Sequence, residues 1–125
     1  MNIDASMQSL DVFSVAQQVS ANNVANVSTE GFQSSRVDLE ETAAGGVAVA
    51  DIRQSSEAGP LLSSERLETN AYGQVESVPT SVMGSNTDIG KEMVDMMVNQ
   101  AAFGANVSAV RTWAQMTGAL LDMVV

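Results

Sequence analysis

Any chemistry in this chain has to come from serine, carboxylates, side-chain amides and one lysine. Histidine and cysteine are both absent. That removes the commonest general base, the commonest metal ligand and all thiol chemistry. A serine nucleophile needs a positioned base. The single lysine, Lys91, would have to supply it from an apparent helix start, and neither G-x-S-x-G nor S-x-x-K occurs. The 15 acidic residues are scattered, without the spacing of a calcium loop. Glu40-Glu41 reads as a solvated edge. No G-x-x-x-x-G-K cradle accompanies the glycines. The sequence therefore points to a non-enzyme with no metal and no cofactor.

Side-chain amides are the residues whose spacing is informative. Residues 20–32 read "SANNVANVSTEGF". Asparagine competes with the helical backbone for hydrogen bonds and is a poor helix interior residue. Asn26 and Gly31 are plausible stop signals, since both tolerate the left-handed conformation. Ser28-Thr29 suit the following turn. Capping needs one asparagine, not three. At least one of Asn22 and Asn23 is therefore expected to bond backbone groups, either of the departing chain or of the C-terminal helix. Asn106 is a candidate counterpart there.

Two long helices are predicted to position these groups. Residues 3–27 carry Ile3, Met7, Leu10, Phe13, Ala16, Val19 or Ser20, Asn23 and Val27 at helical spacing. From Ile89, an unbroken 4-3-4-3 spacing runs through Met93, Met96, Gln100, Phe103, Val107, Val110, Ala114, Thr117, Leu121 and Val124, which is a heptad seam. Asp88 is a natural N-cap. A second stripe holds Val94, Met97, Ala101, Ala105, Ala109, Trp113, Met116 and Leu120. A helix apolar over more than half its circumference is normally covered on several sides. One N-terminal helix covers one face only, so the remainder points to other subunits. Trp113 is either a core residue or an interface anchor, and the methionines serve either core filling or an adaptable surface.

Between the helices the sequence reads as short strands and loops. "VAVADIR" looks like a strand entered through Gly45-Gly46, and "RVDLE" like another. Tyr72-Gly73 marks a turn flanked by Val75 and Val78, and "QSSEAGPLLSSE" looks loop-like. The fold expected is mainly α with a small β insert: long N- and C-terminal helices packed as an antiparallel coiled-coil-like pair, with short strands and loops between. The parts are 1–30 (axial helix and motif turn), 31–87 (β-rich insert) and 88–125 (C-terminal axial helix), in one structural domain.

The formal net charge is −10 over 125 residues. Such a chain is repelled by nucleic acid and by anionic lipid. No apolar run is long enough to span a membrane. The N-terminus lacks the basic start and unbroken apolar run of a cleaved signal peptide, so any export is expected to use another route.

The two ends together resemble the bacterial flagellar axial proteins, the basal-body rod and hook family. The family's Asn-Asn-x-Ala-Asn-x-x-Thr-x-Gly-aromatic pattern is filled by Asn22, Asn23, Ala25, Asn26, Thr29, Gly31 and Phe32. "SNTDIGKEMVDMMVNQAAFGANVSAVRTWAQMTGALLDMV" resembles the family's closing helix. Ser85, Asn86, Asp88, Glu92, Met93, Val94, Gln100, Ala102, Phe103, Ala105, Asn106, Met116, Leu120 and Leu121 fill its usual places. Where the family usually has Arg, and then Tyr with a polar residue, this chain has Ala101, Phe103 and Gly104. A glycine in a helix interior costs about 1 kcal/mol relative to alanine.

The resemblance implies a structural subunit of the flagellar basal-body rod, of the small proximal-rod-like type. Its partners would be copies of itself, other rod and axial proteins and the flagellar export apparatus. Its place would be the periplasmic rod, reached without a cleaved signal. The assembly seam it implies comprises Met93, Met96, Phe103, Asn106, Val107, Val110, Trp113, Met116, Leu120 and Leu121. The alternative is a free-standing helical adaptor or export chaperone that binds a partner helix.

Overall fold

A computed structural model describes residues 3–125. The order is α1 (Ile3–Ala25), β1 (Ser35–Glu41), β2 (Val47–Gln54), β3 (Leu61–Thr69), β4 (Val75–Met83) and α2 (Ile89–Val124). Two long terminal helices therefore enclose two antiparallel hairpins, β1-β2 and β3-β4. The chain is mainly helical, as expected. Among the described residues no helix is long and apolar enough to cross a membrane.

α1 has 23 residues and α2 has 36, lengths of about 35 and 54 Å at the helical rise. They run antiparallel: Asn23 near the end of α1 bonds Glu92 near the start of α2, and Phe13 shares a groove with Phe103 further along. α2 starts at the expected cap. The Asp88 carboxylate accepts from Lys91 N at 3.2 Å with Asp88 extended at φ −95°. One turn on, Lys91 Nζ donates to Asp95 at 2.9 Å. That hydrogen bond raises the Lys91 pKa above its ordinary value.

α1 is shorter than its spacing suggested, ending at Ala25 rather than Val27. Asn26 ends it through its side chain, not through a left-handed backbone. No non-glycine residue has positive φ among the described residues, whereas Gly31 does, at 67°. Asn26 Nδ2 donates back to Asn22 O at 2.9 Å, and Thr29 Oγ1 donates to Asn26 Oδ1 at 3.1 Å. That local network consumes the carboxamide that would otherwise compete with the last helical turn.

The first hairpin lies on α1. A register shift beside Asp38 and Leu39 leaves Ala50 of β2 unpaired, a bulge. Asp38 gathers Arg36 and Arg53 on the hairpin surface. The second hairpin corrects the sequence reading, because "LLSSE" is not loop but the first half of β3. Its polar, low-contrast pattern lacks the alternation that marks a half-buried strand. This ribbon touches neither helix nor the first hairpin.

The ribbon joins the body at a backbone crossing. Gly84 N donates to Pro60 O at 2.8 Å. A Cβ on Gly59 would stand 2.0 Å from Gly84 O and 3.0 Å from the carbonyl carbon of Ser85. Both obstacles are backbone, so only glycine allows the approach. Gly59→Ala should destabilise the chain by roughly 1–3 kcal/mol, read as a lower urea midpoint. A Gly73→Ser exchange at the far tip should leave proteolytic cleavage at 56–60 unchanged, where Gly59→Ala should increase it.

Candidate assembly interface

Two features stand out: a polar clasp that joins the chain ends, and the bare apolar surface the clasp leaves outside. Asn23 is fully buried, at 0% exposure. Its Oδ1 accepts from Ser35 N at 2.8 Å, and its Nδ2 donates to Ser35 O at 2.7 Å. The carboxamide thus pairs with one strand residue as a neighbouring peptide group would. The same Nδ2 donates to Glu92 Oε1 at 3.0 Å. One side chain ties α1, the first residue of β1 and the first turn of α2.

A second amide completes the junction. Asn86 Oδ1 accepts from Ser34 N at 2.7 Å, and its Nδ2 donates to Glu57 O at 2.8 Å. Asn86 N donates to Phe32 O at 3.2 Å, and Gly31 N donates to Met83 O at 2.7 Å. Buried Ser85 accepts from Thr87 N at 3.1 Å. The segments 22–32 and 85–92, singled out at opposite ends of the sequence, meet here. Buried polar groups cost free energy unless bonded, and each of these donors and acceptors has its partner.

The sequence located the clasp and misidentified its counterpart. Asn106 bonds its own helix, Nδ2 to Ala102 O at 2.9 Å, so it takes no part. Glu92 is the partner, 5% exposed. The available signal was a lone carboxylate at heptad spacing from Asn99 and Asn106. Of the other motif residues, Asn22 accepts from Asn26, and Ala25 is the last residue of α1. Phe32 is half-buried beside the junction.

The seam facing α1 also differs from the apolar one. Its covered positions are Glu92, Asp95, Met96, Asn99, Ala102, Asn106, Ala109, Val110 and Thr117, with Phe103, Val107 and Trp113 at its margin. This stripe shares Met96, Phe103, Val110 and Thr117 with the expected seam and is turned from it so that Met93 and Leu121 face solvent. The opposing residues of α1 are small: Ser9, Val12, Ser20 and Asn23 are its buried ones. Val12 is the one buried hydrophobic side chain among the described residues. The intrachain contact is thus close and polar, while Met116, Leu120 and Leu121 remain 60%, 61% and 65% exposed.

The total accessible surface is 8835 Å² for 13.1 kDa, against about 6,400 Å² for a folded monomer of that mass. A standard protein interface removes about 800 Å² from each partner, so the excess is on the order of three such faces. Beside the helices, Phe13, Gln17, Asn99, Gln100 and Phe103 line an open groove. Gln17 Oε1 is buried there without a partner. Gly104 has nothing within 4 Å of where its Cβ would stand.

Asn23→Ala would strand both polar groups of Ser35 and the Glu92 carboxylate. It should cost roughly 2–4 kcal/mol in urea unfolding, with faster hydrogen exchange at the Ser35 amide. Asn106→Ala should stay within about 0.5 kcal/mol of the parent. Equal losses from both would contradict the assignment of Asn23.

Comparison with known proteins agrees with this geometry. The family model described as "Flagella basal body rod protein" matches residues 3–33, which is α1 and its exit turn. The one described as "Flagellar basal body rod FlgEFG protein C-terminal" matches residues 79–123, spanning the end of β4, the second half of the junction and nearly all of α2. No curated protein matches the chain. The two matched stretches are those that the Asn23 and Asn86 bonds bring together, and by both of them the chain belongs to the flagellar basal body rod proteins.

Proposed function

We propose that this chain self-assembles with copies of itself and with other axial proteins, through α1 and α2, as a small subunit of the flagellar rod. Membership of the family makes it a structural protein of the basal body and of motility. The observation that carries the finer reading is the bare apolar surface of α2, which a single α1 leaves outside. Met93, Val107, Met116, Leu120 and Leu121 are the contacts proposed for neighbouring helices. Gln17 and the open space at Gly104 suit a helix laid in the groove. Parts 1–30 and 88–125 would form the tube wall, with 31–87 displayed on it. Its place would be the periplasmic span of the rod, reached through the flagellar export apparatus. Burying one Val, Leu or Met contributes roughly 1.5–3 kcal/mol, so a few of these positions suffice for one subunit contact.

The test is substitution on the face that the chain itself does not use. Leu121→Asp should leave urea unfolding of the free chain within about 0.5 kcal/mol, since that position is solvated, and Val107→Asp, at a position nearer the seam, should cost about 1 kcal/mol. Both should block incorporation into basal bodies and abolish swimming. Normal assembly and motility of both variants would sink the reading. A helical adaptor would instead form a tight dimer in solution whose mass does not change on dilution.

A further inference from the structure

Two two-stranded sheets have four outer edges, and three of them are interrupted by a position already taken or lacking an N–H. Bond parity identifies which groups point outward. In the first hairpin Ser55 N donates to Ser34 O, so the inward-paired residues of β1 begin 34, 36, 38. Ser35 therefore points outward, and Asn23 covers both its groups. On the β2 edge, outward Ile52 N is taken at 2.8 Å by the carboxylate of Asp51, and the bulge follows. In the second hairpin, Gly84 N to Pro60 O and Asn70 N to Gln74 O set the parity. The β4 edge then presents Pro79, which has no N–H, and Met83, whose carbonyl is taken by Gly31.

The β3 edge has no such device. Leu61, Ser63, Glu65, Leu67 and Thr69 present their backbone groups outward, without lysine, proline or bulge. An unprotected edge of this length is a template for another strand. We propose that it pairs with β3 of a second copy, antiparallel, about a two-fold axis at Leu67.

Charge selects that register and that occupant. Centring the pair on Glu65 or on Arg66 sets like charges face to face. Centring it on Leu67 sets Arg66 opposite the second copy's Glu68, twice, and aligns outward groups at 65, 67 and 69. Within one chain Glu68 lies directly across from Glu76, an unfavourable like-charge pair. Arg66 is the one basic residue of the ribbon, and among the described residues no ion pair engages it. A second copy supplies what each lacks. With each of the other three edges interrupted, β3 is the one uninterrupted strand that a second copy offers. The contact does not rest on the rod reading: a closed two-fold pair cannot propagate along a polar tube, so it belongs to the free subunit.

Sedimentation equilibrium of the full chain over rising concentration tests this. The wild-type mass should climb from 13.1 kDa toward twice that value. Leu67→Pro removes an outward N–H that the hairpin does not use; it should hold the chain monomeric with an unchanged circular dichroism spectrum. Arg66→Glu should weaken association roughly tenfold or more, and Arg66→Glu with Glu68→Arg should restore it. A wild type monomeric throughout overturns the proposal. So does association indifferent to Leu67→Pro and to the charge exchange, which would assign it to the bare helices.

Discussion

A strand edge needs a partner, and at Ser35 that partner is a side chain. The Asn23 carboxamide has the donor and acceptor of a peptide group in the same plane, so it can close a ladder position without a third strand. Because the asparagine stands on α1, closing that position also fixes where the chain leaves the helix. Because its second N–H reaches Glu92, it fixes where α2 begins. A leucine at this site would bury more apolar surface and determine neither. The chain has one buried hydrophobic side chain among its described residues, so directional bonds, rather than packing, specify its arrangement.

Such an arrangement suits a subunit whose apolar surface is needed elsewhere. The stripe of α2 turned to its own α1 mixes polar residues at 92, 99 and 106 with Met96, Phe103 and Val110, while Met93, Met116, Leu120 and Leu121 point away. An ordinary amphipathic helix turns its apolar face inward and its polar face out. The mixed inner stripe lets an exposed, hydrophobic helix keep a defined partner within its chain. Small residues on α1 bring the backbones close, and the bonded amides then reject slipped registers, which would leave Glu92 unpaired.

The helices, the cap at Asp88 and the first hairpin were legible because their signals are local: spacing, an N-cap residue, paired glycines. The clasp was legible as an excess of asparagine over what capping needs. Its counterpart was not, because a heptad seam read from hydrophobicity selects apolar positions, and here the stripe turned inward interleaves them with Glu92, Asn99 and Asn106. Strand β3 escaped notice for a related reason. A ribbon solvated on both faces carries no alternation, and its existence depends on pairing with β4 six to 22 residues away. The Gly59–Gly84 crossing is a tertiary contact between two loops that no spacing rule reaches.

The near-absence of a buried apolar core in the free chain has a calorimetric meaning. Heat-capacity change on unfolding follows the apolar area that becomes hydrated. A chain that buries little such area when it folds alone has a flat stability curve, held up by hydrogen bonds whose strength varies slowly with temperature. The steep, hydration-driven part of its thermodynamics is transferred to the step at which α2 is covered by its neighbours. Folding and polymerisation in this protein are then distinct in kind: the first is mainly a matter of bond geometry, and the second is the event that removes water from hydrocarbon.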